Sequence, residues 1–218
     1  MNFDKKLNPN RAGLIGAVLS IIFFLCFLIL GFLQSDYNHI RDTISELVDG
    51  KFGWIQTLNF GILIFSAILI GFGLKKNIIK NKNTLATTTF WLCVIELIIV
   101  LIFPIDKEVI GYHSGFISLS LTGKIHYLTA FILIITISIM ALSIIKDMKK
   151  DFNWKKLIPY SCFVLFFNLI FGTLWYYFNE HGFLFGWKGL SQKIIITNIL
   201  VWLSVVGFKL WKLRKNNI

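Results

Sequence analysis

Charge is what this chain has least of: 15% of its 218 residues are charged and 56% are hydrophobic, with a mean hydropathy of +0.72. An ordinary soluble domain, in which about a quarter of residues are charged, is thereby excluded. Cysteine is almost as scarce. Cys26, Cys93 and Cys162 fall in three different apolar runs, an odd count with no short pairing. That excludes a disulfide framework and a metal–thiolate site, and leaves buried thiols that pack as small hydrophobes. The chain also lacks a G-x-S-x-G nucleophile motif, a His-x-x-x-His pair and a lipid-attachment motif.

What is present is apolar length. A helix needs about 20 mostly apolar residues to cross a bilayer core of roughly 30 Å, and six runs have that length: residues 12–33, 54–74, 84–103, 124–145, 157–178 and 193–213. The expected fold class is an all-α integral membrane protein. Residues 12–213 form a single six-transmembrane-helix bundle, between a basic N-terminus (1–11) and a basic tail (214–218). The first run has the charge order of a signal sequence, but it is too long for one and no small-x-small site follows, so it is expected to remain as the first helix.

The net charge of +11 would point to nucleic acid in a soluble protein. Placement decides against it. Sixteen of the 22 basic residues lie in the N-terminal tail, the second and fourth connections and the C-terminus; the other three connections share six. The positive-inside rule then puts both termini and the even-numbered connections in the cytoplasm of a cell whose plasma (inner) membrane the chain spans. Membrane lipids are the expected partners, nucleic acid is not, and no cofactor is called for. The oligomeric state stays open.

Residues 101–131 stand out because two apolar runs border a connection rich in acids and imidazoles: Asp106, Glu108, His113 and His126. A histidine titrates near neutral pH and suits proton transfer, which makes His126 the candidate acid/base. Glu96 lies seven residues before Phe103, about 10 Å inside the membrane, where a carboxylate must find a partner, face the bundle or hold its proton. In the first connection, Thr43 and Glu46 have capping-box spacing, and Ile44, Leu47 and Val48 share a face. A short helix is expected there, lying on the outer surface with its apolar side down. Asn59 and Asn198 lie about 7 Å below that surface. Gly61, Gly71 and Gly73 mark close helix approach, Trp54 anchors an interface, and Trp175 to Phe178 form an aromatic belt.

All four histidines and seven of the eleven acids, with Glu96, Asn59 and Asn198, map to the outer face or outer half. The expectation is a polar pocket opening to the outer leaflet, and a cytoplasmic half without buried charge. RDTISEL followed by a Trp and an Asn, FPID closing the third run, GKIHYLTAF opening the fourth and GLSQK before the sixth together resemble the bacterial and archaeal membrane proteins of domain of unknown function 998. The resemblance runs from about Gly13 to Leu213. That family typically carries Glu-Arg in the last motif, where this chain has Gln192-Lys193. More distantly, the IS-acid motif and the His126, Ala130, Phe131 pattern are similar to the Frag, DRAM and Sfk membrane proteins, which implies a lipid-related role. By the same carry-over, Ser45, Glu46, Asp106, His126 and Gln192 gain weight.

Three functions follow. In the first, the protein modifies a lipid or lipid-linked headgroup. His126 serves as acid/base, Asp106 or Glu96 orients it, and Ser45 is the candidate nucleophile. Arg41, Glu46, Asn59, Lys124, Asn198 and Gln192 bind substrate, with Lys193 beside them. A metal-dependent version would need His113, His126, His181 and Asp106 to converge from separate loops, and no metal is expected. The second is a non-catalytic lipid-binding or membrane-organising protein; the third is a proton-coupled carrier with Glu96 as relay.

Overall fold

A computed structural model describes residues 8–79, 83–106, 116, 119–181 and 185–213, with backbone alone for residues 178–181 and 185. Six long helices account for most of them: α1 Pro9–Leu33, α2 Gly53–Asn77, α3 Thr84–Ile102, α4 Leu121–Met148, α5 Ile158–His181 and α6 Lys188–Leu213. Each is long and apolar enough to cross a membrane, so the chain is a polytopic membrane protein. Short side chains start three of the helices. Asn8 accepts from the amides of Asn10 and Arg11 ahead of Pro9, Asn83 accepts from Ala86, and Ser120 from Gly123. α4 and α6 begin three and five residues before their apolar runs do, because these polar first turns are held by the protein rather than by lipid.

The helices close into a ring in chain order, with α1 seated between α2 and α6, which also touch each other. Small residues permit that seat. A Cβ on Gly207 would stand 2.4 Å from the Gly13 carbonyl oxygen and 2.8 Å from the Ala17 side chain. Gly71 and Gly73 also face close neighbours, Phe90 and Leu210, whereas a Cβ on Gly61 would meet nothing within 4 Å. Of the three glycines expected at helix contacts, Gly61 is thus not one. Large apolar side chains such as Ile29, Leu58, Phe65, Ile102 and Phe166 point outward, the arrangement expected where lipid is the solvent.

The ends of the ring differ. At the end where α1 starts and α6 stops, Asn83 donates to the Asp147 carboxylate at 2.6 Å and to the Ser143 carbonyl at 3.1 Å. Asp147 is buried, which corrects the expectation that this half lacks a buried charge. The basic turn after α4 also sinks Trp154 completely into the core. The opposite end, where α1, α3 and α5 stop, carries the first connection and a dense set of polar contacts among the described residues. Because the α1–α6 crossing depends on backbone proximity, Gly207→Leu should destabilise the fold by about 1–3 kcal/mol or more through overpacking. Gly61→Leu should leave the thermal midpoint in detergent unchanged; equal effects would refute this view of the crossing.

Candidate functional site

The first connection leaves α1 at Gln34 and returns to α2 at Gly53 through a single 3-10 turn, Ser45–Asp49. It does not lie on the membrane surface as the amphipathic pattern suggests. Ile44 and Leu47 belong to the main apolar core, with Leu47 wholly buried, so the turn plugs the end of the bundle. Its backbone leaves regular structure inside the protein, and every polar group there needs a partner. The capping box supplies one: the Glu46 carboxylate accepts from the Thr43 amide. The Gln34 amide donates to Leu47 O at 3.1 Å, and Gln192 Oε1 accepts from the Ile44 amide at 2.9 Å.

α6 completes the clamp. Its early amides on Gly189 and Leu190 donate to the carbonyls of Arg41 and Ile40, and a Cβ at Gly189 would stand 2.1 Å from the Asp42 carbonyl oxygen. Only glycine allows that approach. Lys188 pairs with Glu46 at 3.2 Å, both nearly sealed from water, and Trp175 donates to the Lys188 carbonyl at 3.1 Å. Trp175 is therefore a buried brace rather than part of an aromatic belt. Lys193 donates to the carbonyls of Asp42 (2.5 Å) and His39 (3.1 Å) with its ammonium 4.9 Å from the centre of the Tyr37 ring. The Tyr37 hydroxyl donates to the Asp42 and Thr43 carbonyls. Burial, and then Glu46 and Asp42, raise its pKa well above the ordinary phenol value, so it stays a donor.

At the centre of this end is His126, six residues into α4 and buried. Its Nδ1 lies 2.7 Å from the Phe103 carbonyl and its Nε2 3.0 Å from Ser45 Oγ. A carbonyl only accepts, so Nδ1 carries the proton in the neutral ring and Nε2 presents its lone pair. The Ser45 hydroxyl then donates to Nε2. This is the orientation a serine nucleophile and its general base require, with a backbone carbonyl holding the far side of the ring.

The remaining candidates separate from this pair. Asp106 accepts from both the amide (2.6 Å) and the hydroxyl (2.5 Å) of Ser120 at the start of α4, where the helix dipole favours a negative charge; it does not orient His126. Glu96 accepts from Thr136 at 2.9 Å across α3 and α4, and its second oxygen has no partner among the described residues. Arg41 forms a two-bond pair with Asp42, Asn59 donates to Phe23 O and to Gln56, and Asn198 donates to Asn168. Lys124 is half-buried on α4. Glu108 and His113 lie outside the described residues, as does the His181 side chain; among the described residues no three metal-ligating groups gather. Lys188, Tyr37, Gln34 and Gln56 were not legible as site residues. The signals that could have found them are a lysine adjoining an aromatic stretch and a glutamine one helical turn before Asn59.

Residues 17–209 match the family described as protein of unknown function, DUF998. The chain belongs to that family. The match takes in Ser45, Phe103, His126 and Gln192, so the whole clamp lies within the DUF998 region. No curated protein and no solved structure matches this DUF998 chain. At position 192 the turn uses Gln as an acceptor oxygen, a role an amide fills as well as a carboxylate would.

His39 gives the clamp a pH dependence. It lies against Phe32 and Tyr37, and burial followed by the Lys193 charge lowers its pKa. The folded loop thus binds a proton less well than the unfolded chain. The share of its stability that depends on neutral His39 is complete above the ordinary histidine value of about 6.5 and is lost as pH falls from there through the depressed folded value. Hydrogen exchange of the loop amides, corrected for intrinsic rates, should accelerate on acidification from about pH 7 to about pH 5. His39→Phe should abolish that acceleration; its persistence would assign the effect elsewhere.

Proposed function

We propose that this protein is a membrane-embedded acyl hydrolase or acyltransferase acting on ester lipids, with Ser45 as nucleophile and His126 as general base. The single observation behind the reading is the paired geometry of the His126 ring, with Ser45 Oγ at 3.0 Å on one nitrogen and the Phe103 carbonyl at 2.7 Å on the other. Ser45 Oγ attacks the ester carbonyl carbon and His126 Nε2 takes its proton. As the ester C–O bond breaks, that proton passes to the leaving alcohol and an acyl-Ser45 remains. Water, or a second lipid alcohol, then gives its proton to His126 and attacks the acyl carbon; the acyl–Oγ bond breaks and His126 returns the proton to Ser45 Oγ, which frees the serine. The Phe103 carbonyl fixes the tautomer, though it stabilises the imidazolium less than a carboxylate would. Lys124, half-buried on α4, is a cation that could meet an anionic headgroup, and Arg41 would meet one while still paired with Asp42. By the distribution of lysines this end faces the outside, and a cysteine at Lys51 should be labelled by an impermeant reagent in intact cells.

A second reading, a non-catalytic lipid-binding protein, is favoured by the burial of both partners, since the same pair pins the 3-10 turn to α4. Lipid mass spectrometry of a deletion strain separates the two. Under the enzyme reading, deletion alters one ester-lipid class, the native gene restores it, and Ser45→Ala and His126→Ala at matched abundance each lower restoration by about a thousandfold in rate. Full restoration by both variants, with loss in Arg41→Ala or Lys124→Ala, would replace catalysis with binding.

A further inference from the structure

Inside the ring, a narrow cleft is lined wholly by apolar side chains of α2, α3, α4 and α6, among them Leu63, Ala67, Cys93, Leu97, Leu133 and Leu200. From Leu63 to Leu74 it follows α2 for about 16 Å. A void with such walls stays dry and receives only apolar matter. The faces that line it continue toward the plugged end. Gln56 precedes Leu63 by seven residues, His126 precedes Leu133 by seven and Gly189 precedes Ile196 by seven. Seven residues are just short of two turns, so each stands on the cleft-facing side of its helix about 10 Å beyond the lining.

Two observations say what belongs there. The Ser45–His126 pair is closed to water, 7% and 3% exposed, so a group reaching it along these faces comes from within the bundle. Gln56 is fully buried on the same face of α2 as the lining, and its Nε2 has no hydrogen-bond partner among the described residues. A buried donor without a partner costs about 1–3 kcal/mol and is a vacancy for an acceptor oxygen. The dry slot is thus aligned with a polar site that stands about 10 Å beyond its lining, toward the plugged end.

We infer that the cleft holds a long hydrocarbon chain of the lipid acted on, tail among Ala67, Leu97, Leu133 and Leu200, with its acyl carbonyl at the level of Gln56 and His126. The substrate class that follows is a long-chain acyl ester. This rests on the enzyme reading for the head group, whereas the tail site stands on the cleft itself. The test uses the full-length protein in lipid nanodiscs and palmitic acid carrying a mid-chain diazirine, with photolabelled peptides mapped by mass spectrometry. Label should fall on cleft residues of α2, α3, α4 and α6 in the native protein and in Ser45→Ala alike, and Ala67→Phe should reduce it by about tenfold. Leu200→Phe, on a different helix, serves if Ala67→Phe does not fold. Label confined to lipid-facing positions such as Ile29 and Phe166, and unmoved by either filling variant, would overturn the tail site. A parallel arm measures hydrolysis of p-nitrophenyl palmitate against the butyrate. Loss of palmitate turnover alone in the filling variants supports the slot. Cleft labelling with no Ser45-dependent turnover of either ester would remove the chemistry and leave the tail site in place.

Discussion

The two bonds of the His126 ring, to Ser45 and to the Phe103 carbonyl, determine how three separate stretches of chain meet at the loop-bearing end. Phe103 O is among the last carbonyls of α3, without an intrahelical donor beyond it, and the ring nitrogen satisfies it. Ser45 opens the turn that closes the bundle. Without the imidazole, a helix end and a plug would both be left with buried polar groups unpaired, at a cost of about 1–3 kcal/mol each. The same constraint accounts for the rest of the clamp. Gln34, Gln192, Lys193 and Tyr37 direct their polar atoms to backbone groups of residues 39–47, because an irregular segment packed among helices has no water to turn to.

Charge placement follows from this arrangement. Glu46 sits beside Ser45, yet its carboxylate is held by the Thr43 amide and Lys188, so it shapes the turn and leaves the base to His126. Removing Lys188 would strand a buried carboxylate, the costly way to break such a pair. Asp106 performs the matching task for α4. By holding Ser120 it fixes where the helix begins, and with it the level at which His126 projects, so its effect on the site is one of position.

Six membrane helices could be read directly from the sequence because lipid demands long apolar runs, and their ends moved by at most five residues, furthest at α6, whose first turn is buried against the loop. Ser45, Glu46, His126 and Gln192 were legible as candidates through motif resemblance and histidine chemistry, and the structure brings these four together. Asp106 and Glu96 were legible as acids but not as separate from His126, since a linear chain does not say which helix face meets which. The Phe103 carbonyl could not be seen at all: a backbone acceptor has no residue type. Nor could the plug be told from a surface helix, because an amphipathic pattern is the same whether its apolar side meets lipid or the core. The void among α2, α3, α4 and α6 arises from packing alone.

The most direct measurement of the central claim is covalent labelling of the purified protein by a fluorophosphonate, which reacts with a serine hydroxyl only when a neighbouring base activates it. The expected result is one modified residue, Ser45, with labelling lost in Ser45→Ala and strongly slowed in His126→Ala, both measured well below the lowered thermal midpoints that the lost hydrogen bonds bring. An unmodified Ser45 in the folded native protein, or labelling that proceeds equally without His126, would contradict the account and leave the pair as a brace for the plug.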